Sequence, residues 1–134
     1  LPVVRKIYPY AKQIVDFFMT KKSMDYGAPV AFEYPRKGIY TIGFVTSGGL
    51  KCLNEMAGET VVTVFVPSSP TPVTGWTVFV PLKELVFLPL TTEDVAKLLI
   101  SGGVLVPAGQ ETGFTREAIE KLAKKDFLGA GKGN

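Results

Sequence analysis

Apolar positions change their spacing along this chain, and each change marks an element. Val4, Ile7, Ala11, Ile14, Val15 and Phe18 recur at helical spacing with Arg5, Lys12 and Asp16 between them, which predicts an N-terminal helix. Pro9 sits inside that pattern, either in the first turn or at a kink. Residues 20–28 are polar, contain Gly27 and read as a connector. Pro29 to Tyr34 and Ile39 to Thr46 then read as strands joined by Pro35-Arg36-Lys37-Gly38. Proline presets φ and glycine admits positive φ, so those four residues have hairpin-turn chemistry. Gly43 inside the second strand predicts a bulge or a close backbone approach. Ser47-Gly48-Gly49 ends that strand, and 50–59 reads as a loop.

Thr60 to Val66 is a β-branched strand. Residues 67–75 carry three prolines and cannot pair within a sheet, because proline has no N–H to donate. Such a connection is stiff and partly polyproline-like. Trp76 to Val80 is the return strand, Pro81 interrupts it, and Leu85 to Leu88 holds one more short strand. Thr91 or Thr92 caps a helix whose buried face is Val95, Leu98 and Leu99 and which Ser101-Gly102-Gly103 stops. Val104 to Val106 reads as a short strand and 107–113 as a loop. Thr115 caps a last helix with Ala118, Ile119, Leu122 and Phe127 on one side. Hairpins follow one another directly, so the expected class is α+β: a mainly antiparallel curled sheet or partly closed barrel flanked by helices. Residues 1–128 are expected to form a single domain that begins with a juxtamembrane helix, and residues 129–134 a flexible tail.

Composition narrows the class. The chain has 134 residues, enough for a core, with 46% hydrophobic and 20% charged side chains, which speaks against disorder. No apolar run approaches the roughly 18 residues needed to cross a bilayer. Cys52 is the sole cysteine, so an internal disulfide is excluded. Histidine is absent, which removes the commonest general base and zinc ligand. Residues 1–37 hold seven basic side chains against three acids, and so carry the whole of the net +3. That excess is either a solvated helix face or a segment close to an anionic surface on the cytoplasmic side of a membrane. No aromatic-basic interleave of a nucleic-acid module is present.

Candidate chemistry is sparse. The run Gly129 to Lys132 lacks phosphate-loop spacing. Cys52 beside Lys51 reads as a buried or incidental thiol, without a histidine to activate it. Glu93 and Asp94 are adjacent, diverge by about 100° on a helix and are helix-start acids. Glu55 and Glu59 are four apart but have no further ligand at metal spacing. No catalytic residue, cofactor or metal is therefore expected. Two surface candidates remain. Arg36 and Lys37 at the hairpin tip either keep a turn soluble or meet lipid phosphate or an acidic partner. Ser68, Ser69, Pro70, Thr71, Pro72 and Thr74, with Trp76 beside them, either form a recognition surface or cover the open end of the sheet, with Trp76 packed inward.

The phrase Glu33-Tyr34-Pro35-Arg36-Lys37-Gly38, followed by Ile39 to Thr46, resembles the signature of the LIKE-COV family. The Val-Phe-Val-Pro, Ser-Ser-Pro-Thr-Pro and Thr-Gly series at 64–75 is similar to a second landmark, and Ile100-Ser101-Gly102-Gly103 to a third. Lys6-Ile7-Tyr8 with Lys12-Gln13 resembles its opening, so the landmarks run from about residue 4 to 107. This bacterial and plant family has no assigned activity and no catalytic residues to carry over. Its plant members, named for continuous vascular ring, are linked to vascular patterning and trafficking. The resemblance implies two transmembrane helices ahead of this region. Together with the missing catalytic chemistry it points to a non-enzymatic domain of a membrane protein, acting as an interaction or assembly module with a protein partner or with itself, and Arg5, Lys6 and Lys12 then favour the cytoplasmic side. The alternative from the residues is a lipid or small apolar-ligand binding domain within a curled sheet.

Overall fold

The computed structural model describes residues 9, 12, 27–71 and 74–132, with side chains up to residue 126. Pro9 and Lys12 are helical, and the rest of the expected N-terminal helix lies outside the described residues. The ordered elements are β1 (Ala28–Glu33), β2 (Tyr40–Ser47), α1 (Lys51–Ala57), β3 (Val61–Pro67), β4 (Gly75–Pro81), a 3-10 turn (Leu82–Glu84), β5 (Val86–Phe87), α2 (Thr92–Ile100) and α3 (Arg116–Lys132).

The strands form one antiparallel sheet in the order β4-β3-β2-β1-β5. β4 and β5 are its two edges, so the expected α+β curled sheet is an open one and does not close into a barrel. The interior strand β3, between β4 and β2, is buried on both faces along most of its length, which is why its apolar run is continuous and does not alternate. The register places Val30, Phe32, Val45, Val62, Val64, Val66 and Val80 on one face, where Leu85 joins them in a single cluster. Ile42 and Phe44 point to the other face, beneath Val95, Ala96 and Ile100 of α2. Phe44, Val95 and Ala96 are fully buried there.

α2 is held by its cap and by both its ends. Thr91 Oγ1 accepts from the Asp94 N–H at 3.1 Å, and Glu93 and Asp94 occupy the positive first turn. At the start of the helix, Thr92 Oγ1 donates to the Gly27 carbonyl at 2.9 Å. At its end, Ser69 Oγ donates to the Ile100 carbonyl at 2.9 Å. Gly102 and Gly103 take positive φ, and their N–H groups satisfy the Leu99 and Leu98 carbonyls.

Four expectations change. Residues 67–75 do not all leave the sheet: Pro67 pairs with Gly75 and Ser68 N–H reaches the Thr74 carbonyl, because the proline at the rung has its missing N–H at a position that does not bond to β4. Residues 50–59 are not a loop: Lys51–Ala57 is a helix that ends on Gly58 at φ 70°. It buries no residue, so no apolar periodicity announced it; Lys51 and Glu55 pair across one turn at 3.8 Å, and Asn54 Oδ1 accepts from Val61 N–H at 2.8 Å. Val104 to Val106 is not a strand. Its alternation turns Leu105 toward the α2 cluster and leaves Val104 and Val106 exposed, with no neighbouring strand to complete a ladder. The last helix runs to Lys132, so residues 129–132, expected in a tail, lie in its final turn. Ile119 and Leu122 on that helix are exposed.

Gly43 is a close backbone approach, not the bulge itself. A Cβ there would lie 2.7 Å from the Phe65 carbonyl oxygen and 2.8 Å from Val64 Cγ1. The irregularity in the β2–β3 register falls later, between Val45 and Ser47. Gly43→Ala is expected to destabilise the fold by about 1–3 kcal/mol, because the backbone of β3 would have to move. Gly48→Ala, where nothing lies within 4 Å, is expected to be close to neutral. Urea denaturation of the two variants checks this; equal midpoints would refute the close-approach account.

Candidate functional site

The two surface candidates fall at one end of the sheet. β1, β2, β3 and β4 are consecutive antiparallel neighbours, so the β1–β2 turn and the β3–β4 connection emerge on the same side. The C-terminus of α2 reaches that end too, through its bond to Ser69.

At the first hairpin, Tyr34 N–H donates to the Ile39 carbonyl at 2.9 Å and Ile39 N–H to the Arg36 carbonyl at 3.2 Å. Thr41 Oγ1 donates to the Tyr34 carbonyl at 2.9 Å. The Tyr34–Pro35 peptide is cis. Arg36 and Lys37 are exposed at the tip, and the Arg36 guanidinium donates to the Lys37 carbonyl at 3.2 Å. The turn is thus closed by its own backbone, and both cationic groups face solvent.

The second connection is ordered where it is described. Ser68 N–H donates to the Thr74 carbonyl at 2.7 Å, continuing the β3–β4 ladder one step. Thr74 donates to the Thr71 carbonyl from its N–H at 3.1 Å and from its hydroxyl at 3.0 Å. The Ser69–Pro70 peptide is cis. Ser69, Pro70, Thr71 and Thr74 are exposed, Ser68 is half-buried, and Pro72 lies outside the described residues. The hydroxyls are not equivalent, because Ser69 reaches across to α2 while Thr74 closes its own turn.

Trp76 opens β4 opposite Val66 and is 47% exposed, so the packed-inward reading fails for about half of its surface. Phe79, further along the same strand, is 43% exposed. Between Glu59 and Lys83 the chain carries no charged residue at all. That uncharged run is a signal in the sequence that would have pointed to β4 as well as to the loop before it.

The remaining titratable groups are scattered. Glu55 pairs with Lys51 at 3.8 Å and Glu59 with Lys83 at 3.5 Å, so the two carboxylates serve different partners. Glu93 pairs with Lys97 at 3.4 Å on the outer side of α2. Cys52 is exposed on α1. Among the described residues no three metal-ligating side chains come together, and no helix is long and apolar enough to cross a membrane.

The match of a family model to residues 1–74 places the chain in the family described as protein of unknown function (DUF502). The matched part takes in β1, β2, α1, β3 and the proline-rich connection, and stops one residue before β4. Neither a curated protein nor a solved structure matches the chain.

The two serines of the connection allow a clean comparison. Ser69→Ala is expected to lower stability by about 1 kcal/mol, since it leaves the Ile100 carbonyl short of a donor. Ser68→Ala is expected to change it by a few tenths at most. Thermal and urea melts of both variants measure the difference; a neutral Ser69→Ala would remove the tie between the connection and α2.

Proposed function

We propose that this domain is a non-catalytic interaction or assembly module of a membrane protein, and that it makes contact through the end of the sheet bearing the proline-rich connection and Trp76. The observation that carries the reading is the uncharged stretch from Thr60 to Leu82, which contains the proline-rich connection and, just after it, the exposed Trp76. A stiff loop beside an aromatic side chain binds with little ordering cost, and exposed tryptophan is a common anchor of protein contacts. Simple chain reversal needs only two to five residues. Five residues, 69–73, lie beyond the last rung of the ladder, at the upper end of that range, and two of them are prolines.

The membrane context rests on the resemblance to the LIKE-COV family and on the basic excess of residues 1–37. With two transmembrane helices upstream, both ends of the protein lie on one side, and Arg5, Lys6 and Lys12 favour the cytoplasmic side. Arg36 and Lys37, at the same end of the sheet as the connection, would then meet lipid phosphate or an acidic partner.

The test is crosslinking of the full-length protein in its native membrane, with Ser68→Ala, Thr71→Ala and Trp76→Ala combined. Ser69 and Thr74 are left in place because their hydroxyls serve the fold. Loss of crosslinked species with the melting temperature kept is the expected result. Retention of every crosslink would refute the surface, and a lipid held by the purified domain in native mass spectrometry would support ligand carriage in its place. A C-terminal reporter active outside the cytoplasm would overturn the topology.

A further inference from the structure

The two edges of the sheet are protected very differently. β5 has two residues, preceded by Lys83 and Glu84 and followed closely by Pro89, so it offers little template for another strand. β4 has seven residues, Gly75–Pro81, with no charge among them and most of them exposed. An uncharged edge of that length, without an inward charge and, among the described residues, without a covering element, is what soluble sheets normally avoid.

The hydrogen-bond pattern shows which groups of β4 are unused by β3. Ser68 N–H donates to the Thr74 carbonyl, and Leu82 N–H to the Thr60 carbonyl. Both pairs fall in step with Val66↔Trp76, Val64↔Val78 and Val62↔Val80. Bonded and non-bonded pairs alternate along an antiparallel ladder, so Trp76, Val78 and Val80 spend their backbone groups on β3. Gly75, Thr77 and Phe79 therefore turn their N–H and C=O groups outward, and Pro81, which has no N–H, ends the row.

From this geometry we propose that β4 is a homotypic interface: two copies of this chain pair their β4 strands antiparallel about Thr77 and join their sheets into one. It rests on the assembly reading above and names the partner. In that register Thr77 faces Thr77 of the second copy, and Gly75 and Phe79 face one another in both directions. Every outward N–H and C=O of the three residues is then satisfied. The Phe65 ring of the same copy lies over Gly75, where a Cβ would come within 3.0 Å of its Cζ, so the Phe79 ring of the second copy would meet an aromatic ring there. On the opposite face Trp76 lies across from Val78 of the second copy, an aromatic–β-branched pair of the kind that stabilises sheets. No like charges oppose one another anywhere along the strand. A partner of different sequence would use the same backbone groups but has no reason to place a large ring opposite Gly75.

Sedimentation velocity of the chain over a range of concentration reads the assembly directly. A concentration-dependent dimer is expected. Thr77→Pro removes one outward donor from each copy without touching the β3 ladder, and Thr77→Lys sets like charges face to face. Each is expected to weaken the dimer by at least about tenfold while far-UV circular dichroism stays unchanged. If Thr77→Pro unfolds the chain, Thr77→Lys decides. In a Cys52→Ser background, Thr77→Cys is expected to form a disulfide-linked dimer on mild oxidation, and Thr112→Cys is not. A chain that stays monomeric to about 1 mM overturns the proposal, as does a dimer indifferent to both Thr77 variants. Either result leaves the broader assembly reading standing if the full-length crosslinks still depend on Ser68, Thr71 and Trp76; loss of that dependence alone strikes the broader reading.

Discussion

The packing of one helix over Phe44 holds the two halves of the chain together. β1 to β4 form a continuous meander, and α2 follows them in sequence and crosses back over the sheet. Burying Phe44 beneath Val95, Ala96 and Ile100 contributes roughly 2–3 kcal/mol for that ring alone. The two hydroxyl–carbonyl bonds at the ends of the helix contribute about 1 kcal/mol each. Apolar packing therefore dominates the energy, and the hydroxyls set the direction. Gly27 precedes β1 and Ser69 follows β3, so the bonds fasten α2 to opposite ends of the sheet. A helix fixed in this way has one orientation and cannot slide along the face that carries Ile42 and Phe44.

That arrangement also sets what the sheet can present. Both hairpin turns and the end of α2 meet at one end, where the connection after β3 is tethered through Ser69. Its stiffness has two sources: prolines limit the backbone, and Thr74 closes a turn onto Thr71. The proposed surface is thus restrained at Ser69 and at Thr74. The other end of the sheet is occupied by α1 and by Gly27, whose N–H bonds the Val45 carbonyl.

The strands were legible because their residues carry two independent signals. β-branched runs mark Val61–Pro67 and Gly75–Pro81, and proline with glycine marks the turns between strands. The Thr91 cap and the double glycine after Ile100 made the ends of α2 readable as well. α1 was missed because a short helix that buries nothing has no reason to repeat apolar residues. The alternation at Val104 to Val106 misled because it records one inward side chain, and a strand also needs a neighbour that no local pattern reveals. The candidate surface was half legible. Its prolines and tryptophan stand out in the sequence, whereas the tie from Ser69 to Ile100 joins residues far apart in the chain and appears only in three dimensions.

The ion pair between Glu59 and Lys83 acquires a different meaning before the chain has folded. In the native state both groups lie near solvent, and a pair of that kind contributes little to stability. In a nascent or unfolded chain the same two residues stand at either end of a long β-prone stretch with no charge of its own. Short segments such as Val61 to Val66 have the composition that stacks into cross-β fibres. Flanking charges of this sort act as gatekeepers against such stacking. The selective value of Glu59 and Lys83 then lies in the yield of folded protein, and replacing both by neutral residues would leave the melting temperature almost unchanged while the refolding solution turns turbid.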